Sequence, residues 1–110
     1  MSSKYEIFLG KDQQFYFHLK AANGEIILAS EGYTQKHNAE NAIESVRVNS
    51  PFDGNYIDKV AKDSRNYFVL RADNNEVIGT SQMYRSKQGR DIGKASVKEN
   101  ALVSRVDDLT

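Results

Sequence analysis

Residues 15–20, Phe-Tyr-Phe-His-Leu-Lys, alternate between two chemistries with period two. Phe15, Phe17 and Leu19 fall on one side of an extended chain, and Tyr16, His18 and Lys20 on the other. The next residues, Ala22-Asn23-Gly24, predict a hairpin turn, because Asn-Gly supplies the positive φ angles that tight hairpins need. Residues 25–30 are the return strand. Upstream, the apolar run 5–9 and the loop 10–14 complete a three-stranded antiparallel meander. The period then changes. Ala39, Ala42, Ile43 and Val46 recur at i, i+3, i+4 and i+7, which predicts a helix over 38–47. Asn38 is its expected N-cap, Glu40 sits where the helix dipole favours an acid, and Pro51 is its stop.

The pattern then recurs. Shifting the sequence by 51 positions aligns 15–51 with 66–102 without a gap and gives 13 identities in 37 positions. Among them are Tyr16/Tyr67, Phe17/Phe68, Leu19/Leu70, Glu25/Glu76, Tyr33/Tyr84 and Val46/Val97. Such self-similarity marks a duplicated unit. The second copy predicts strands at 67–71 and 76–81 around Asp73-Asn74-Asn75, with Asn75 taking the positive φ of Gly24. A second helix is expected over 87–100 and a last short strand over 103–109. In that helix Arg90, Gly93 and Lys94 replace Ala39, Ala42 and Ile43. Either Lys94 snorkels, or the helix rotates to turn Ile92 and Ala95 inward. Residues 55–60 open copy two by one register and close copy one by another, leaving seven or eight strands. The expected core includes Phe17, Leu19, Ile43, Val46, Phe68, Leu70 and Val97.

Composition narrows the class. A chain of 110 residues with 39% hydrophobic and 10% aromatic content can build one core, so a single domain over 1–110 is expected, with repeats at about 4–54 and 55–110. Lys and Arg number 15, as do Asp and Glu. Net charge therefore gives no general attraction to nucleic acid or anionic membrane. There is no cysteine, which removes disulfides and thiol chemistry. The apolar stretch near the N-terminus is too short for a signal peptide, and no segment approaches bilayer length, so a soluble cytoplasmic protein is expected.

The run Phe-x-Leu-Lys-Ala-Ala-Asn-Gly-Glu, with Ser30, Tyr33 and the stretch 43–51, resembles the YegP-like family. The second copy carries the resemblance through Tyr67-Phe68-x-Leu70, residues 81–84 and residues 95–101. The resemblance covers nearly the whole chain. It implies an α+β fold of two tandem β-β-β-α-β repeats, joined in one mostly antiparallel sheet with two helices on one face. It also implies that the units exchange their last strands. The family usually has an apolar residue where this chain has Lys94. The resemblance brings no catalytic or binding residue with it.

The search for chemistry gives little. His18 and His37 have no metal-ligand spacing, the loop at Asp73 lacks the oxygen ligands of a calcium site, and no serine lies in a nucleophile elbow. No catalytic residue, metal or cofactor is expected. Two weaker sets remain. Tyr16, His18 and Lys20, with Tyr67 and Arg71, project from the sheet face opposite the core, an arrangement that can stack single-stranded bases. An ordinary half-solvated sheet looks the same in sequence, since β propensity alone favours tyrosine. Lys36 and Lys87 open the two helices, where an anion would be favoured. The sequence points to a monomeric, non-enzymatic binding or interaction module with an internal pseudo-dimer, its open sheet face facing a single-stranded nucleic acid or a protein partner. The alternative is a structural or stress-related small protein with no dedicated ligand.

Overall fold

A computed structural model describes residues 2–110. The period-two segments form the expected meanders. Strands β1 (Lys4–Leu9), β2 (Phe15–Lys20) and β3 (Ile26–Ala29) build the first; β4 (Tyr56–Val60), β5 (Asn66–Arg71) and β6 (Val77–Thr80) build the second. Each is followed by a helix, α1 (Lys36–Asn49) and α2 (Lys87–Asn100), and β7 (Arg105–Asp108) ends the chain. All strands lie in one seven-stranded sheet of order β4-β5-β6-β3-β2-β1-β7. Neighbours pair antiparallel except β7, which leaves the second repeat and runs parallel to β1 of the first. Residues 56–60 are a single strand that both follows α1 and pairs with β5, so the sheet has seven strands.

The first hairpin uses a different turn from the one expected. Only Gly24 of the first hairpin has positive φ, at 87°; Asn23 instead accepts the Glu25 backbone N–H through its side chain. The ladder slips one register between Leu19 and Lys20, which marks a bulged turn. Asn75 takes positive φ in the equivalent place, at 70°. The β1–β2 and β4–β5 turns put Gln13 and Ser64 in that same region. Asp12 and Asp63 fix those two turns by accepting backbone N–H groups two residues on.

Helix α1 starts earlier than its apolar stripe suggests. Its N-cap is Gln35, which makes no side-chain capping bond, and Asn38 lies inside the helix. The Tyr33 backbone pairs with Phe15, so the chain is already in place for a helix at residue 36. Helix α2 is capped by Ser86, whose hydroxyl accepts the Gly89 N–H. Here Lys94 snorkels: its Nζ reaches Asp58 on β4 at 2.8 Å, and Arg90 joins the same carboxylate at 3.4 Å. The rotated alternative is overturned, because Ile92 is 63% exposed and Ala95 is also exposed. Asp58 stands on the helix-facing side of β4, where it gives both cations a partner.

All seven expected core residues are buried. The core is continuous across both repeats. Helix α1 packs on β1 and β2 but also on β5 and β6, and α2 packs on β5 and β3. Two tyrosines tie this arrangement together. The buried Tyr5 donates its hydroxyl to the Ala101 carbonyl at the end of α2, while Arg47 of α1 lies over its ring. Tyr56 donates to the Ser50 carbonyl at the end of α1, while Lys98 of α2 lies over its ring. Burial pushes both phenols far above their ordinary pKa.

The repeats meet at one pair, Ala29 opposite Thr80, which are equivalent residues under the shift of 51. A pseudo-twofold axis passes there. Beside it Leu28 and Gly79 are also equivalent, and there is room for only one side chain. A Cβ on Gly79 would stand 2.5 Å from Leu28 Cγ. Overpacking of this kind costs about 1–3 kcal/mol or more. Gly79→Leu is therefore expected to lower the free energy of unfolding, read by denaturant titration, by that order. Adding Leu28→Gly should restore part of the loss, because the leucine then fills the space from the other side. Equal loss in single and double variants would refute this account of the seam.

Candidate binding face

The sheet has one face under the helices and one face without a covering element. Cross-strand register fixes what the open face carries. Phe8 lies opposite Tyr16, Glu6 opposite His18, and Lys4 opposite Lys20. Beyond β1, Arg105 and Asp107 of β7 pair with Lys4 and Glu6. In the second repeat Lys59 lies opposite Tyr67, and Ile57 opposite Val69. The five residues Tyr16, His18, Lys20, Tyr67 and Arg71 are all partly exposed, as the alternation required.

The two halves of this face are unlike. In the first repeat, Phe8, Tyr16 and His18 form an aromatic cluster. The Phe8 and Tyr16 rings lie 5.7 Å apart and nearly parallel, and His18 is 4.7 Å from Phe8. Tyr16 is further held by its hydroxyl, which donates to Asp12 Oδ2 at 2.5 Å. That bond pulls the Asp12 carboxyl down and pushes the Tyr16 phenol up. Its ring lies against the backbone at Gly10, where a Cβ would sit 2.6 Å from Tyr16 Cε1. In the second repeat Lys59 and Val69 stand where Phe8 and His18 stand in the first, so Tyr67 has no such stack. Sequence reasoning missed Phe8. The signal was present, since the period of β1 places Lys4, Glu6 and Phe8 on one face, but the adjacent apolar residues Ile7, Phe8 and Leu9 hide it.

The cations are also unequal. Lys20 pairs with Glu6 at 2.7 Å; Lys4 reaches Glu6 and Asp107, and Arg105 reaches Asp107 at 2.9 Å. The Lys20 and Lys4 ammonium groups hold Glu6 below its ordinary carboxylate pKa. Among the described residues Lys59 and Arg71 make no ion pair. Between the two halves, across the pseudo-twofold seam, lies a shallow depression of about 480 Å³. Its lining includes His18, Glu25, Ile26, Ala29, Thr80 and Gln82.

The second candidate pair divides. Lys36 of α1 is engaged by the Asp108 carboxylate, which that contact and Thr110 pull down to about 2. Lys87 makes no ion pair among the described residues, and the α2 N-terminus beside it is served by Ser86. The duplication does not give two equal anion sites. No three His, Asp or Glu side chains gather as metal ligands among the described residues, and no helix is long and apolar enough to cross a membrane.

These features define a class of tandem-repeat α+β proteins that close two meanders into one sheet by passing the last strand of one repeat to the other. The chain belongs to the family described as Domain of unknown function (DUF1508), whose model matches residues 11–56 and again 61–108. It is similar to a UPF0339 protein of Acinetobacter baylyi, with 54% identity over 100% of this chain and 99% of the relative. It is also similar to the solution NMR structure of the Escherichia coli protein of unknown function yegP. Identity there is 48% and the TM-score 0.94, over 100% of this chain and 95% of that one. The solution structure of UPF0339 protein SO3888 from Shewanella oneidensis matches at 51% identity and a TM-score of 0.93, over 100% and 93% of the two chains.

The half-buried His18 gives a pH test. Burial, and then the Lys20 charge, lower its pKa below the ordinary 6.5, against the opposing pull of Glu6. The folded state therefore binds this proton less readily than the unfolded chain. The stability contributed by a neutral His18 is fully present above pH 6.5 and is lost as pH falls from there through the folded pKa. Urea unfolding between pH 7 and about pH 5 should show this loss, and His18→Gln should flatten the profile in that window. An unchanged slope in the variant would assign the loss to other groups.

Proposed function

We propose that this protein is a non-enzymatic binding module whose open sheet face takes an extended, single-stranded nucleic acid. One observation carries the reading. On a chain with balanced charge, the strand positions of this face hold five basic residues, Lys4, Lys20, Lys59, Arg71 and Arg105, against two acids, Glu6 and Asp107, beside three clustered rings. Stacked rings with interleaved cations are the means by which sheet surfaces hold unpaired bases. The Tyr16 ring is fixed by Asp12 and Phe8, so little side-chain freedom is lost on binding. The central depression continues the track toward Tyr67.

The titratable groups support a binding rather than a catalytic role. The phenols shifted furthest are the core residues Tyr5 and Tyr56, each already donating to a carbonyl. The lowered carboxylates are surface groups held by lysine, arginine, tyrosine or backbone donors. Neither set brings a nucleophile beside a base.

Titration of the labelled protein with a short single-stranded oligonucleotide should move the amide signals of Phe8, Tyr16, His18, Thr80 and Tyr67. Each ring stack is worth about 1–3 kcal/mol, so Tyr16→Ala with Tyr67→Ala should remove most of the affinity. The dependence of log K on log salt should be shallow, with a slope of roughly −1 to −2 from the two unpaired cations. Shifts confined to the helix side, or none at millimolar ligand, would refute the reading.

A further inference from the structure

The duplication builds a second feature that the sheet face does not use. Two grooves lie where the helix of one repeat meets the hairpin of the other. The first, of about 350 Å³, lies between Tyr33, Ala42 and Ser45 of repeat one and Ala72, Glu76 and Ile78 of repeat two. The second, of about 170 Å³, lies between Tyr84, Gly93 and Ser96 of repeat two and Ala21, Glu25 and Ile27 of repeat one. Under the shift of 51 every residue lining the first groove falls on a residue lining the second, with three replacements, Asn38 by Gly89, Asn41 by Ile92 and Ala42 by Gly93; Gln82 lines the second groove alone. Six of these nine pairs are identities, against 13 of 37 positions along the aligned stretch.

Most of that agreement has a job in the fold. Ile27 and Ile78 belong to the core, and the Ala21 and Ala72 N–H groups close the two hairpins. Ser45 and Ser96 accept from Asn49 and Asn100. Tyr33 and Tyr84 bridge back to Phe15 and Asn66 through their backbones. The Glu25 and Glu76 carboxylates have no such job. Both are exposed, and among the described residues neither makes an ion pair or accepts a hydrogen bond. No lysine or arginine lines either groove.

Each glutamate lines one groove together with a tyrosine from the other repeat, Glu76 with Tyr33 and Glu25 with Tyr84. Burial raises the Tyr33 phenol, and the charges of Glu31 and Glu76 add to it. Burial likewise raises Tyr84, with Glu25 adding and Gln82 opposing. Among the described residues the Tyr84 hydroxyl, closed off from solvent against Gly93, has no partner in good hydrogen-bond geometry, with Gln82 nearby. An aromatic ring, an unpaired carboxylate and an apolar floor make a receptor for a cation on an alkyl stem.

We propose that the two grooves are twin sites for an organic cation, an ammonium group on an alkyl chain, each completed only when both repeats are assembled. The ammonium sits between the glutamate carboxylate and the tyrosine ring, and the stem lies along the alanine and isoleucine floor. The same chemistry is offered by a free polyamine and by a lysine side chain.

The test is an amide-shift titration with acetyl-lysine-methylamide, with putrescine, and with the uncharged acetyl-norleucine-methylamide. Saturable shifts are expected around Tyr33, Ser45 and Glu76, and around Tyr84, Ser96 and Glu25, with the two cations only. Tighter binding of putrescine marks a free amine as the ligand, and tighter binding of the lysine derivative marks a protein side chain. Glu25→Gln should weaken the Tyr84 groove by about fivefold, the worth of one exposed ion pair. Glu25→Lys should silence that groove and leave the Tyr33 groove intact; Glu76→Lys should do the reverse. Unchanged thermal unfolding of these surface variants separates loss of binding from loss of fold. The proposal is overturned by an absence of groove shifts at about 10 mM probe, by equal shifts with the norleucine compound, or by charge reversals that change neither groove. Glu25 also lines the open-face depression, whereas Glu76 does not, so the Glu76 variants separate this proposal from the sheet-face reading.

Discussion

Neither helix can bury its apolar side on the strands of its own repeat. A three-stranded meander and one helix offer too little area to hold together alone. The structure meets this constraint by crossing. Helix α1 lies over β1 and β2 and extends over β5 and β6; α2 lies over β5 and β3. Tyr5 and Tyr56 lock the crossing, since each bonds the end of one helix while the other helix lies over its ring. The strand exchange follows from the same need. Once α2 ends against Tyr5, the nearest open edge for the chain is β1, and β7 adds there in parallel.

The shared core also separates the molecule's two chemistries. On the helix side, crossing brings the hairpin of one repeat against the helix of the other, which creates grooves with mixed parentage. On the open side no such mixing is imposed, and the repeats have drifted apart. Phe8 and His18 in the first repeat are replaced by Lys59 and Val69 in the second. Positions whose side chains complete hydrogen bonds inside each repeat, such as Ser30 and Ser81, stay the same. Each of those hydroxyls accepts a strand N–H and donates to a neighbouring carbonyl. The difference tracks constraint: a buried polar group must keep its partner, whereas an exposed strand position need not.

Exact symmetry fails at the axis for a steric reason. Two identical leucines cannot occupy the space between Leu28 and position 79, so one copy carries glycine. The repeat is broken here because Leu28 fills the space that its symmetry mate at position 79 would need. The weak stripe of α2 has a comparable origin in charge. Lys94 and Arg90 are tolerated near the core margin because Asp58 lies within reach on β4.

The sequence by itself determined the local elements, the duplication and the core. Period two in residues 15–20 and the helical spacing of Ala39, Ala42, Ile43 and Val46 are set by backbone geometry, so they are readable without neighbours. It also determined which side of β2 faces outward, and hence the exposure of Tyr16, His18 and Lys20. Tertiary structure decided everything that depends on what lies across a gap in the chain. It chose the start of α1, because the Tyr33–Phe15 bridge outweighs the capping preference of Asn38. It made Lys36 unequal to Lys87 by bringing Asp108 to the first alone. It set Glu25 beside Tyr84 and Glu76 beside Tyr33, residues separated in sequence but joined where the helices cross. Local pattern reports the direction a side chain takes from its own backbone; only the assembled sheet supplies the partner it meets.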